Sequence, residues 1–178
     1  MRAPQLRYHA PIHFSPPIAH LNRSGFSLME LMVVIAIIAI LAMVAMPSYL
    51  FKRQQDEIAK AYRHAETVRD DITEYYYATL SFPADNDEGG LPEPDQLIGN
   101  RVTRMEVEDG AIHITLGNKV ATSLQDKTLS LRPAIVTGSP GSPISWLCGR
   151  EEPVAGMEAV GEDRTDVNEG LLPASCDN

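Results

Sequence analysis

The sequence lacks the residue patterns by which most enzymes are identified. Its 178 residues contain no nucleophile elbow, no phosphate-binding glycine loop and no set of metal ligands with diagnostic spacing. We therefore expect no enzymatic activity and no cofactor. Basic residues are also scarce, 15 against 24 acidic ones, and phosphate neutralisation needs clustered Lys and Arg. This balance argues against direct binding of nucleic acid.

Cysteine is limited to two residues near the C-terminus, Cys148 and Cys176. They are either two free thiols or one disulfide. Because the N-terminus has the character of an export signal, we favour a disulfide, which persists in oxidising compartments. It would close a loop of about 27 residues and stabilise the folded chain by about 3.5 kcal/mol.

Charge is absent from the whole run Leu31–Phe51. The segment Phe26–Met46 is almost entirely aliphatic, and as a helix it would be about 31 Å long, close to the hydrocarbon thickness of a bilayer. Three interpretations compete: a cleaved secretory signal, an uncleaved single-pass anchor, and a segment cut before the apolar run. The run is longer than a secretory signal core, and it ends at Ala45-Met46-Pro47 without a small-x-small site.

A single carboxylate, Glu30, lies at the start of this apolar run, shortly after Arg23-Ser24-Gly25. An unpaired charge at the bilayer centre costs about 3 kcal/mol, so the acid needs a partner. Neither a secretory signal nor a plain anchor provides one. Cleavage after Gly25 does, because it creates a cationic amine at Phe26, about one helical turn from Glu30.

The charge distribution predicts the orientation of the chain. Residues 1–25 contain Arg2, Arg7 and Arg23 and no acid, so the remainder holds 12 basic and 24 acidic residues. Positive residues stay cytoplasmic, which places the C-terminal part outside the cytoplasm. Lys52 and Arg53, on the far side of the apolar run, weaken this inference, and the cysteine pair supports it.

The segment Gly25–Ile37 resembles the class III signal of type IV pilins and the related pseudopilins. The resemblance implies that a prepilin peptidase cuts between Gly25 and Phe26 and methylates the new amine of Phe26. The partner of Glu30 is either the Phe26 amine of its own subunit, about one helical turn away, or that of a neighbouring subunit. The resemblance implies the neighbouring subunit. At 25 residues the leader is longer than the family's usual few residues, and an upstream start codon wrongly assigned would account for the excess.

A helical pattern continues beyond Pro47. The apolar stripe of this second part alternates three- and four-residue steps through Ile58, Ala61, Ala65, Val68, Ile72, Tyr75 and Thr79. We predict one helix from about Ser27 to Ala78, kinked at Pro47, whose stripe packs on the protein's own sheet rather than in a coiled coil. The charged residues are predicted to form a solvated or inter-subunit face: Lys52, Arg53, Asp56, Glu57, Arg63, Asp70 and Asp71.

Four strand-like segments follow a loop at Phe82–Gln96. The first two flank Asp109-Gly110, a strong hairpin signal. The other two are predicted at Thr128–Ile135 and Ile144–Cys148. In the loop, Asp85-Asn86-Asp87-Glu88 lacks the spacing of a calcium site, so we interpret it as a plain acidic turn.

Two side chains in these strands could lie either in the core or at the surface. His113 alternates with Ile112 and Ile114, which predicts that it faces solvent. Trp146, two residues before Cys148, is predicted to be a core residue beside the disulfide rather than a ligand-stacking aromatic. The stretch Ile144–Cys148 also resembles the strand that leads into the disulfide loop of type IVa pilins.

The predicted fold class is α+β: a long N-terminal helix, with its hydrophobic half protruding, packed on a four-stranded antiparallel sheet as in pilins. The predicted segments are a removed leader, the membrane and assembly half of the helix, its amphipathic half, a connecting loop, and the sheet with the C-terminal disulfide-bounded loop. Their boundaries are 1–25, 26–50, 51–80, 81–100 and 101–178.

The resemblance implies a structural subunit of a type IV pilus. Such a subunit waits in the bacterial inner membrane with its N-terminus cytoplasmic. Inner-membrane assembly machinery then polymerises it into an extracellular homo-oligomeric filament for adhesion and twitching motility. The alternatives are a minor pilin, a pseudopilin of type II secretion and, in a different class, a single-pass membrane-anchored periplasmic binding protein. The disulfide favours a pilin over a pseudopilin, and an anchored binding protein leaves Glu30 unexplained.

Overall fold

A computed structural model describes residues 25–176. The predicted leader therefore lies outside the described residues except for Gly25. The chain divides into two compact units, with the boundary between Leu41 and Ala42.

Helix α1, Leu28–His64, begins in the first unit. Its first turn is capped by Ser27, whose Oγ accepts the backbone N–H of Glu30 at 3.1 Å. Within the described part of the chain, one helical stretch is long and apolar enough to cross a membrane by length and composition. α1 continues through Pro47 without ending. The kink expected at this residue stays a prediction.

Helix α2, Glu66–Thr79, follows α1 after a single residue, Ala65. The N–H of Ala65 is shared between the carbonyl oxygens of Ala61, at 3.3 Å, and Tyr62, at 3.0 Å. Such a bifurcated bond tightens a helix locally, so the predicted single helix is interrupted here. α2 ends at Leu80, which adopts a left-handed conformation and donates its N–H to Tyr76.

Five strands form one antiparallel sheet. They are β1 (Val102–Glu108), β2 (Ala111–Leu116), β3 (Thr128–Val136), β4 (Ser145–Cys148) and β5 (Met157–Ala159). The order is β1-β2-β3-β4, and β5 pairs with β3. The α+β class and the antiparallel sheet are confirmed; the short β5 inside the disulfide-bounded loop was not predicted.

The predicted hairpin between β1 and β2 is present. Asp109 and Gly110 both have positive φ, 47° and 82°, as a type I′ turn requires. A Cβ at Gly110 would also lie 2.6 Å from the Cβ of Phe82, so only glycine fits this close approach. The turn thus fixes the register of β1 and β2 and gives the connecting loop room to pass.

One face of the sheet and the helical stripe form the core. The predicted stripe residues Ile58, Ala61, Ala65, Val68 and Ile72 are all buried. The last buried position is Tyr76, however, and the prediction of Tyr75 was wrong. Beyond the irregular turn at Ala65, it is the ring of Tyr76 that stacks on Phe82, with 4.3 Å between ring centroids. Tyr75 donates its hydroxyl to Glu88 instead, and Thr79 is exposed.

The opposite face of the sheet is also covered, by the disulfide-bounded loop Gly149–Ser175. His113 is buried there, and its Nδ1 lies 3.0 Å from Ser130 Oγ. Ser130 Oγ accepts the N–H of Arg164 at 2.9 Å, and the N–H of Ser130 donates to Thr165 Oγ1 at 3.0 Å. The prediction that His113 faces solvent was therefore wrong, because a loop without periodicity covers this face.

The acidic turn of the connecting loop is tied down by Asn86, which is buried. Its Oδ1 accepts the N–H of Val107 at 2.8 Å, and its Nδ2 donates to the carbonyls of Pro92 and Met105. These bonds attach the loop to β1. The structural role of Asn86 is not visible in the sequence, where it is one polar residue among acids.

Candidate assembly surface and processing junction

The junction predicted for cleavage is open to approach. A Cβ placed on Gly25 would meet no atom within 4 Å, and Phe26 is 80% exposed. Helix α1 begins only at Leu28, so the bond between Gly25 and Phe26 lies outside the helix. An unhindered peptide bond outside a helix is suited to a protease site.

Glu30 is exposed on the first turn of α1. It occupies the third position after Ser27, the position from which an acid complements the helix N-terminus. The capping role of Ser27 was not predicted from the sequence. The Ser-x-x-Glu spacing of a capping box would have identified it.

The surroundings of Glu30 are apolar. Its side chain borders a shallow groove of about 430 Å³ that is lined by Ser27, Met29, Glu30, Val33 and Val34. A carboxylate on such a surface is poorly solvated once another apolar surface covers it, and it then needs a cationic partner. The groove therefore suits a partner that brings both apolar side chains and a positive charge.

The apolar surface extends well beyond this groove. From Phe26 to Phe51 the large hydrophobic side chains are 42–80% exposed. Contiguous apolar surface of this extent marks contact with a membrane or with another protein. Pro47 lies within this stretch.

The disulfide joins Cys148, at the end of β4, to Cys176, with 4.9 Å between the Cα atoms. Both residues are buried, and Trp146 packs partly buried against the same core. The bridge ties the end of the described chain to the sheet. The predicted pairing is present.

Where the amphipathic part of α1 meets the sheet, one charged residue departs from the expected solvated face. Glu57 is buried: its Oε1 accepts from Arg53 Nε at 3.1 Å, and its Oε2 accepts the N–H of Ala121 at 2.8 Å. The prediction of a solvated Glu57 was wrong. Two directed hydrogen bonds offset the loss of its hydration.

Two exposed side chains have perturbed acidity. A hydrogen bond from Lys60 lowers the pKa of Asp56, and the charges of Arg101 and Arg63 act in the same direction. The hydrogen bond to Glu88 raises the pKa of Tyr75. Both shifts belong to surface pairs, and neither marks a reactive group.

Comparisons with known proteins match both parts of the chain. The prokaryotic N-terminal methylation motif matches residues 20–46, and the family described as pilin, a bacterial filament protein, matches residues 57–177. The chain belongs to the pilin family. The recognition made from Gly25–Ile37 is thereby confirmed.

Curated relatives agree over most of the chain. A type IV major pilin protein PilE1 of Neisseria gonorrhoeae is 34% identical and covers 86% of this chain and 87% of its own. A fimbrial protein of Neisseria meningitidis serogroup B is 31% identical over 86% of this chain and 94% of its own. A fimbrial protein EcpC of Eikenella corrodens is 30% identical, and the matched region covers 88% of this chain and 92% of the length of that protein.

Membership has direct consequences. The family consists of structural filament proteins rather than enzymes. It implies assembly into a multi-subunit filament, and the methylation motif implies processing by a prepilin peptidase. The apolar start of α1 fits anchoring in a membrane before assembly.

Proposed function

We propose that this chain is a structural subunit of a type IV pilus, made as a precursor and cut between Gly25 and Phe26. The new amine of Phe26 is then methylated, which preserves its positive charge. The match of residues 20–46 to the methylation motif supports this step. So do the unhindered Gly25 and the exposed Phe26.

Before assembly, residues 26–50 hold the subunit in the bacterial inner membrane, with its N-terminus cytoplasmic. The remainder of the chain is exported. The basic residues before the apolar run support this orientation, as does the disulfide Cys148–Cys176, which requires an oxidising compartment. The inner-membrane assembly machinery then transfers the subunit into the filament.

The observation that carries the proposal is the position of Glu30: an exposed carboxylate at the start of an apolar helix surface, four residues from the new amine of Phe26. In the growing filament, Glu30 pairs with the Phe26 amine of a neighbouring subunit. The two opposite charges enter the apolar layer together, which recovers much of the cost of burying either alone. The pair also fixes which turn of one helix lies beside which turn of the next.

The subunit forms the shaft of the filament. Relatives named type IV major pilin proteins support a major rather than a minor role. The filament serves adhesion and twitching motility. A minor pilin would be present in sheared filaments at a small fraction of the dominant subunit, so abundance separates the two roles.

The test replaces Glu30 by Val in the chromosomal copy, with Glu66→Val as a matched control. Glu66 is an exposed acid on the first turn of α2. Glu30→Val should yield normal amounts of cleaved chain in the membrane and few filaments in the sheared surface fraction. Glu66→Val should assemble normally. Abundant filaments of wild-type appearance from Glu30→Val would contradict the proposal.

A further inference from the structure

A basic pocket lies beside the amphipathic part of α1. Its cavity of about 190 Å³ is lined by Lys60, His64 and the loop segment Gly99–Val102. The segment approaches α1 closely because residue 99 is glycine: a Cβ there would lie 2.9 Å from His64 Nε2. In a chain with 24 acidic and 15 basic residues, such a concentration of positive charge is unusual.

Positive charge exceeds negative charge around this pocket. Asp56 accepts a hydrogen bond from Lys60, and the charges of Arg63 and Arg101 also act on the carboxyl of Asp56. One carboxylate therefore faces three cations. Among the described residues, Arg101 Nε is buried and has no hydrogen-bond acceptor. The Arg101 side chain also lines the pocket, so its remaining guanidinium N–H groups can donate to an oxyanion there.

The flank of α1 opposite the pocket contacts the disulfide-bounded loop. Gln55 Nε2 donates to the carbonyls of Gly170, at 3.3 Å, and Leu172, at 3.5 Å, in the disulfide-bounded loop. His64 follows Gln55 by nine residues, which is two and a half turns at 3.6 residues per turn, so the two side chains leave the helix in opposite directions. The loop end near Gly170 and the basic pocket therefore lie on opposite sides of α1.

Glu169 is the acid that this flank presents. It is exposed, and within the described part of the chain its carboxylate makes no hydrogen bond or ion pair. Neighbouring acids are already engaged: Asp166 accepts from Lys127 and Thr128, and Glu162 pairs with Arg164. Glu169 is thus free to bind a cation outside its own chain.

We propose that the pocket of Lys60, His64 and Arg101 receives the carboxylate of Glu169 from a second copy of this chain. The proposal rests on the proposed function, since assembly brings copies together. Complementary patches on opposite flanks give a head-to-tail contact, the type of contact that generates open helical filaments when the rotation between copies does not close.

A carboxylate of the same chain suits the pocket better than a nucleic acid or a soluble phosphate. The excess of acidic residues repels polyanions from most of the surface. The volume of about 190 Å³ admits a single oxyanion group.

The test uses the full chain in cells and compares Arg101→Glu, Glu169→Arg and the double variant. The controls make the same charge changes at exposed positions, as Arg104→Glu on β1 and Glu158→Arg on β5. Each single variant should lower the chain in the sheared surface fraction by about tenfold. The double variant should restore most of this loss, and the controls should assemble as wild type.

Folding is followed separately, as the amount of processed, disulfide-bonded chain in the membrane, with Arg101→Gln as a milder substitution. Arg101→Gln should keep that amount and still reduce filament yield. If the wild-type chain forms filaments and the single variants assemble equally well, the proposed pairing is wrong but the proposed function stands. A double variant no better than the worse single variant also overturns it. Absence of wild-type filaments overturns the proposed function and the pairing with it.

Discussion

Glu57 and Ala121 are joined by a hydrogen bond: the buried Glu57 accepts the backbone N–H of Ala121 through Oε2 at 2.8 Å. Ala121 lies between β2 and a short 3₁₀ turn, Thr122–Leu124. The bond therefore attaches the amphipathic part of α1 to the segment that links β2 with β3. The second oxygen of Glu57 accepts from Arg53, so the buried carboxylate is satisfied on both sides.

Replacing Glu57 by Ala should lower the free energy of unfolding by about 1–2 kcal/mol, because the partly buried N–H of Ala121 loses its acceptor. Glu57→Gln keeps one acceptor oxygen and should lower the free energy of unfolding less than Glu57→Ala does. Urea unfolding of the detergent-solubilised chain, followed by the fluorescence of Trp146, measures the difference. Asp70→Ala, at an exposed acid of α2, should leave the midpoint unchanged. Equal effects of Glu57→Ala and Asp70→Ala would refute this role.

Tyr76 and Tyr75 are adjacent in sequence but differ in burial. Tyr76 is 2% exposed and stacks on Phe82, so Tyr76→Ala should lower the unfolding free energy by about 3 kcal/mol. Tyr75→Ala removes only a surface hydrogen bond to Glu88 and should change stability much less. The same unfolding assay compares the two variants. A larger loss from Tyr75→Ala would contradict the observed packing.

His113 should make stability depend on pH. Burial lowers its pKa below 6.5, and the nearby charge of Arg164 adds to the shift. Glu108, Glu106 and Glu162 oppose it. Since the folded chain favours the neutral ring, its contribution is fully present above the unfolded pKa of about 6.5. The contribution falls as the pH drops below that value, when the unfolded chain binds the proton more readily.

The check is a series of urea midpoints between about pH 8 and pH 5 for wild type and His113→Gln. Wild type should lose stability towards the acidic end, and His113→Gln should flatten that part of the curve. A wild-type slope in His113→Gln would show that other groups cause the dependence.

Loss of the disulfide should destabilise the chain substantially. The bridge spans a sequence separation of 28, for which the loop-entropy relation gives about 3.5 kcal/mol. The double variant Cys148→Ala, Cys176→Ala should show this loss in urea unfolding. A loss below about 1 kcal/mol would indicate that the reduced chain is already restrained in its unfolded state.

Regular elements were predictable because their residue periods are strong. The stripe from Ile58 to Ile72 has helical spacing, and Asp109-Gly110 separates two alternating segments, so the helix, the hairpin and the antiparallel sheet followed from sequence. The stripe was predicted correctly through Ile72, beyond the shared N–H of Ala65. After Ile72 a three-residue and a four-residue step both keep helical spacing, and the chain takes the four-residue step to Tyr76, whose ring stacks on Phe82.

Burial by segments without regular secondary structure could not be predicted from the local sequence pattern. His113 alternates like a solvent-facing residue, but Arg164 and Thr165 lie over it from a loop without periodicity. Glu57 likewise resembles its exposed neighbours until the backbone of Ala121, 64 residues away, provides its partner. Both burials depend on contacts distant in sequence.

The central claim is that the chain is cut before Phe26, methylated there and assembled into filaments. Intact-mass analysis of the sheared surface fraction tests it most directly. The account predicts a chain that begins at Phe26, heavier by one CH2 because a methyl group replaces an amine hydrogen, and lighter by two hydrogens for the disulfide Cys148–Cys176. Recovery of only the full-length chain, and only from the membrane, would contradict it.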